Sequence, residues 1–272
     1  MRGELAAIAM EARILLERER AKGRRRMASP ASRNGAPPLA APPATAAAAE
    51  VLALPGFESL VPRPPSAPSS PSAIPASKPL APRDDLPQDL EAIRALVAAC
   101  TKCGLCETRT RTVFADGDAR ARLMFVGEAP GRDEDAQGVP FVGRAGQLLN
   151  KMIAAIEMKR EEVYICNVLK CRPPDNRVPA ADEVERCRPY LEQQVAIVRP
   201  AVICALGLSA AQALLETKAT MSSMRGKTFQ YRGVPLIPTY HPAALLRNPS
   251  LKNEAWVDLQ RVRDLVRERT SA

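Results

Sequence analysis

Leu123-Met124-Phe125-Val126-Gly127-Glu128-Ala129-Pro130-Gly131 sets an apolar run directly before a turn made of two glycines and a proline. Three more short apolar runs, at 163–168, 201–206 and 234–240, share the Val, Ile and Leu content of the first, which spans 122–127. Helix-like segments near 145–157, 180–197 and 208–216 separate the runs. Another, over 89–99, precedes them, and an amphipathic stretch at 252–268 follows. Nearly continuous apolar strands alternating with helices predict a parallel sheet covered on both faces. The expected fold is a three-layer α/β/α sandwich with four parallel strands, preceded by a disordered N-terminal extension. Ligands of open sheets bind outside the carboxyl ends of the strands. Gly127, Asn167, Gly207 and His241 all fall at such ends, so one pocket mouth can collect them.

The remainder of the 272 residues divides by composition. Residues 1–26 read as a short charged helix ending in Arg24-Arg25-Arg26, either a docking element for a protein partner or a ragged terminus. Residues 27–88 form a linker rich in proline and alanine, holding 15 of the 26 prolines. Such a stretch buries too little apolar surface to offset the ordering of its chain. The domain proper is expected over 89–272. It keeps a basic surplus, since residues 91–272 carry 27 Lys and Arg against 21 Asp and Glu. A pI near 9.4 favours a polyanionic partner. With no apolar run of membrane-spanning length and no signal-peptide core, the expected protein is cytoplasmic, off the membrane and monomeric.

The seven cysteines are poor candidates for disulfides in a reducing compartment. Cys100 and Cys103 make one close pair, and Cys171 and Cys187 make another outside the expected strands. Four thiolates brought together by folding suit a tetrahedral zinc or an iron–sulfur cluster, and spacing does not separate the two. Cys106 extends the first pair, but Thr110 and Arg111 stand where a bacterial ferredoxin run would continue with cysteine and proline. Cys166 and Cys204 lie within apolar runs and read as small buried hydrophobes.

Other residue types point to a pocket for a flat ligand. Pro130 removes a donor amide from the 127–131 turn, and no Lys-Ser/Thr follows it, so the turn is a weak phosphate loop. Backbone atoms there suit the edge of a planar molecule. Arg132-Asp133-Glu134-Asp135 adds carboxylates beside the turn, or a solvated loop. Phe141, in Gly-Val-Pro-Phe-Val-Gly, can stack on a base or plug the sheet edge. Asn167 can read a base edge by giving and accepting hydrogen bonds, or cap a turn. His241 is the only histidine, so any imidazole chemistry falls to it. After it, Leu245-Leu246-Arg247 offers two apolar tips and a cation, a combination suited to a wedge in a base stack or to an ordinary helix start.

Five ordered stretches carry a resemblance. They are Cys100-Thr-Lys-Cys103, the run 127–135, the run 140–150, the run 164–174 and His-Pro-Ala-Ala-Leu-Leu-Arg-Asn-Pro at 241–249. From Cys100 to about Arg263 the chain resembles family 4 uracil-DNA glycosylases, the iron–sulfur branch of their superfamily. The resemblance implies a [4Fe-4S] cluster on Cys100, Cys103, Cys171 and Cys187, leaving Cys106 out. It implies that uracil is flipped from single- or double-stranded DNA into a pocket of Glu128, Ala129 and Pro130. Phe141 would stack on the base, Asn167 would read its edge, and His241 would contact the carbonyl beside the glycosidic nitrogen. Leu245, Leu246 and Arg247 would touch the DNA. Classical family 1 enzymes carry a water-activating aspartate where this chain has Ala129, so water would be held by other groups, Glu134 or Asp135. Residues 216–233 contain no histidine, unlike the insert of a related cross-linking branch, which argues against covalent capture of DNA. Rival readings are a non-catalytic iron–sulfur DNA-binding protein and a zinc-stabilised phosphate-ester hydrolase.

Overall fold

The computed structural model describes residues 81–271; the helix expected over 1–26 and most of the linker expected over 27–88 lie outside them. Six strands form one sheet: β1 (Asp116–Gly117), β2 (Leu123–Gly127), β3 (Tyr164–Asn167), β4 (Val202–Leu206), β5 (Phe229–Tyr231) and β6 (Val234–Thr239). Their order is β1-β3-β2-β4-β6-β5. The central four are parallel, as the apolar runs predict, and the two edge strands are antiparallel to their neighbours. The edge strands are an addition to the expected four. β1 is only two residues long, and β5 is joined to β6 by Arg232-Gly233, both at positive φ. That is a two-residue hairpin turn whose twist matches the strands it joins.

The helices are α1 (Leu90–Ala98), α2 (Leu105–Thr108), α3 (Arg132–Gln137), α4 (Arg144–Ala155), α5 (Ala181–Val198), α6 (Leu208–Leu215), α7 (Met221–Met224), α8 (Pro242–Arg247) and α9 (Lys252–Ser271). Successive strand residues face opposite sides of a sheet, so an apolar strand buried on both faces feeds two cores. Leu123, Phe125, Ile165, Cys204 and Ile237 pack against α4 and α9 through Leu149, Ile153, Leu259 and Val262. Met124, Val126, Cys166, Ile203 and Leu236 pack against α1, α5 and α6 through Ile93, Val97, Leu191, Val195 and Ala211. Cys166 and Cys204 are therefore core residues, as their position in apolar runs predicts. None of the helices among the described residues is long and apolar enough to cross a membrane.

The connection from β2 to β3 runs to one side, and that from β3 to β4 crosses back over β2. The carboxyl end of β2 is thus a topological switch point, where diverging loops leave a crevice.

Candidate active site and cysteine cavity

A cleft of about 630 Å3 opens at that switch point. Glu128, Ala129, Pro130 and Gly131 line it after β2, Asn167 at the end of β3, Gly207 after β4, and Tyr240 and His241 after β6. Glu134, Phe141 and Arg247 complete the wall. The strand-end rule therefore collects both signature stretches into one site.

Two glycines make the close approaches possible. A Cβ on Gly127 would sit 2.3 Å from Asn167 Oδ1 and 2.6 Å from Phe141 Cζ, so only a bare backbone fits between those two side chains. At Gly207 φ is +95°, and a Cβ would meet the His241 Cβ at 2.9 Å.

Asn167 is 2% exposed, and its Oδ1 has no hydrogen-bond partner. A buried acceptor left unpaired is destabilising by about 1–3 kcal/mol, and native proteins rarely keep one without a use. Beside it the Phe141 ring lies 5.6 Å from the His241 ring, centroid to centroid, at 31°. Phe141 adopts φ +54°, an unusual conformation for an aromatic residue that its loop must enforce. Glu134 Oε1 accepts the N–H groups of Val142 and Gly143 at 3.0 and 3.1 Å. Arg160 Nη2 donates to Pro140 O at 2.7 Å, Nη1 donates to Phe141 O at 3.4 Å and to Asn150 Oδ1 at 2.8 Å, and Nε donates to Asp116 Oδ2 at 2.8 Å. Arg160 was missed by motif reasoning because it is twenty residues from the loop and belongs to no conspicuous string.

His241 caps α8: its Nδ1 accepts the Ala243 N–H at 3.1 Å, with Pro242 at the first helical position. The ring proton of the neutral form therefore sits on Nε2. Burial, with the nearby Arg247 cation, pushes the His241 pKa down to about 4, only partly opposed by Glu134. The strand below is braced from α9. Asp258, fully buried, accepts from Thr239 Oγ1 and from Arg225 Nε, both at 2.8 Å. Arg225 also stacks over the Tyr240 ring.

Two sequence expectations need correction. Asp135 does not line the cleft; its carboxylate, nearly buried, accepts the backbone N–H groups of Thr110 and Arg111. Consecutive helical residues diverge by about 100°, so Glu134 and Asp135 on α3 cannot face the same side. Asp135 fastens the 110–111 turn and offers no oxygen to water in the cleft. Leu245 is 2% exposed and belongs to the core under α4 and α9. Of the two leucines only Leu246, at 39%, reaches the surface.

A separate small cavity brings together Cys100, Cys103, Cys171 and Cys187, with Leu105, Leu169 and Tyr190 beside them; Cys106 does not line it. The donor set is all thiol, with no carboxylate or imidazole, which fits a sulfur-ligated metal group. Arg109 Nη1 donates to Cys171 Sγ at 3.1 Å, a cation placed to meet thiolate charge. Among the described residues no three Cys, His, Asp or Glu side chains close on a single-ion site.

The chain thus combines a cleft at the switch point of a largely parallel sheet with a separate cavity lined by four thiols. The model of the family described as Uracil DNA glycosylase superfamily matches residues 114–260, and the chain belongs to that superfamily. Type-4 uracil-DNA glycosylases are similar over most of the same region. That of Archaeoglobus fulgidus is 45% identical over 186 residues, 65% of this chain and 94% of that protein. Those of Pyrobaculum aerophilum, at 45%, and Thermotoga maritima, at 40%, are covered to 91% and 95% of their lengths. A type-5 uracil-DNA glycosylase of Pyrobaculum aerophilum is 33% identical over 146 residues.

Proposed function

We propose that this chain is a monofunctional type-4 uracil-DNA glycosylase of base excision repair: it hydrolyses the N-glycosidic bond of deoxyuridine in DNA, releasing uracil and leaving an abasic site. The observation that carries this reading is the unpartnered Asn167 Oδ1 in a cleft beside Phe141 and His241. Uracil presents an N3–H donor beside the O4 acceptor on one edge, complementary to a carboxamide. Phe141 stacks on the flipped base, and the turn at Glu128, Ala129 and Pro130 receives its rim. Extrusion of a base from the stack is easiest from a mismatch or a single strand, so a U·G pair is a natural target.

As the glycosidic bond breaks, electrons pass to the leaving uracil, and negative charge appears on the carbonyl beside N1. His241, neutral and protonated on Nε2, donates to that oxygen, while the backbone turn supplies fixed dipoles. No proton needs to leave the imidazole. Ala129 offers no base, and Glu134 Oε1 is committed to the Phe141 loop, which leaves Oε2 to hold the attacking water. Leu246 fills the space vacated by the base, and Arg247 meets the DNA backbone, in keeping with the basic balance of the chain.

Cys100, Cys103, Cys171 and Cys187 would hold a [4Fe-4S] cluster, which would cross-link the segment between α1 and α2, the stretch after β3 and helix α5. We place the protein in the cytoplasm as a monomer acting directly on DNA.

Incubation with a single-uracil oligonucleotide followed by alkaline cleavage tests the reaction. Strand scission at the uracil alone is expected, and binding without scission would leave a non-catalytic DNA-binding protein. Brown colour with iron and sulfide, and no stoichiometric zinc, tests the cluster.

A further inference from the structure

Lys170 is buried where lysine is ordinarily exposed. Its side chain is 1% exposed, and its Nζ donates to the Asn167 main-chain oxygen at 2.7 Å and to Gln194 Oε1 at 2.6 Å. The third direction faces the Phe114 ring, 6.0 Å from its centroid. All these partners are neutral, and among the described residues no carboxylate makes an ion pair with it. Gln194 is itself held in place, since its Nε2 donates to Tyr164 OH at 2.9 Å and to Phe114 O at 3.3 Å. A buried lysine without an anion is strongly disfavoured, and buried charges in proteins are paired or serve metal centres. Lysine also carries about 2 kcal/mol of side-chain entropy, so an apolar residue would be the cheaper filler here.

The cysteine cavity lies beside it, and with its thiols ionised that cavity concentrates negative charge. Lys170 lines that cavity and directly precedes Cys171 in sequence. Four thiolates outweigh the positive charge of an iron–sulfur core, so a bound cluster is an anion. Arg109 meets it from the Cys171 side, and Lys170 stands between it and the base-reading residue.

We propose that Lys170 is the buried countercharge of the cluster and, through the Asn167 carbonyl, a positioning residue for base recognition. The proposal rests on the cluster reading above. It makes the metal centre more than a loop staple, because one side chain ties the charge of the centre to the strand end that carries Asn167. Lys170 touches neither substrate nor iron; it acts through Asn167 and through its charge.

The test begins with the parent protein, whose brown colour and uracil release establish the underlying reading; failure at that stage would be failure of that reading. Lys170→Met, which keeps length and removes charge, is then compared with Gln194→Leu, which removes one acceptor and leaves the charge. The midpoint potential of the cluster is measured by voltammetry, and excision is measured under single-turnover conditions. Removing a neighbouring positive charge makes electron gain less favourable. Lys170→Met is therefore expected to shift the midpoint downward and to slow excision by about 10–100-fold, the range seen when outer-sphere partners are lost, with DNA affinity retained. Gln194→Leu should keep the parental midpoint. A brown Lys170→Met protein with the parental midpoint overturns the proposal. Where Lys170→Met and Lys170→Gln both emerge colourless but folded by circular dichroism, the charge is required for cluster assembly, which supports it. Where both fail to fold while Gln194→Leu folds and is brown, the lysine serves the core alone, which overturns it.

Discussion

His241 Nδ1 accepts the main-chain N–H of Ala243, so the start of α8 fixes both the orientation and the tautomer of the only imidazole in the chain. A neutral donor held this way interacts weakly with the intact nucleoside and strongly with the departing anion, which is the condition for raising kcat. His241→Ala is expected to lower the single-turnover rate by about a hundredfold to a thousandfold, with DNA affinity by gel shift almost unchanged. Parental turnover would reduce the histidine to a helix cap.

The depressed His241 pKa also predicts an acid signature in stability. The unfolded imidazole titrates near 6.5 and the folded one near 4, burial being the main cause and Arg247 the second. Between those values the unfolded chain binds more protons, so this contribution to stability rises with pH. It is complete above pH 6.5 and lost as pH falls through 4. Denaturation midpoints at pH 4.5 and 7 should therefore differ less for His241→Asn than for the parent. Equal differences would count against the buried, neutral ring.

Asn167→Ala should separate stability from function. Its Oδ1 is buried without a partner, and deleting such a group removes a penalty of about 1–3 kcal/mol. The side chain faces a cleft, so its loss opens no sealed cavity. We expect a melting temperature equal to or above that of the parent, together with a loss of excision of about a hundredfold or more, as when one oriented polar group is removed. A large fall in melting temperature would mark Asn167 as a structural cap.

Arg160 should behave as a support for Phe141. Phe141→Ala loses base stacking, about 1–3 kcal/mol in comparable sites. Arg160→Leu frees the Pro140–Phe141 backbone and should lose part of the same energy. The double variant should then be no worse than Phe141→Ala, since the two act as one unit. Arg160→Lys should not rescue, because one ammonium cannot replace a planar fork that bonds Asp116, Asn150 and the loop at once. Additive losses by single-turnover kinetics would argue against this coupling.

The domain should extend upstream of residue 89. Gln193 is fully buried; its Oε1 accepts the Arg83 N–H at 2.7 Å and its Nε2 donates to Pro87 O at 2.8 Å. A chain starting at Ala81 is expected to retain full excision on naked DNA. One starting at Asp89 strands both ends of that amide and should melt lower. Equal melting temperatures for the two would place the boundary at 89.

The four central strands and five main helices were legible because each rests on a strong local pattern. Leu123–Val126 and Val202–Leu206 are apolar throughout, as double-sided burial requires. The convergence of Asn167, Gly207 and His241 followed from strand ends alone. Local patterns could not reveal Arg160 or Asp258, whose partners lie far away in sequence and whose residue types are usual on surfaces. Leu245 and Leu246 carry identical side chains, and only the docking of α8 against α4 and α9 decides which is core. Asp135 was misread for a similar reason, since a run of acids does not say which of them turns inward.

The Asp258 brace has a consequence for timing. The carboxylate that secures Thr239, two residues before His241, is carried by α9, nearly twenty residues further along the chain. Ala255, Leu259 and Val262 of the same helix close the core beneath β6. Strand and brace are thus made at different times, so the wall that carries His241 is secured only after α9 has been synthesised and docked.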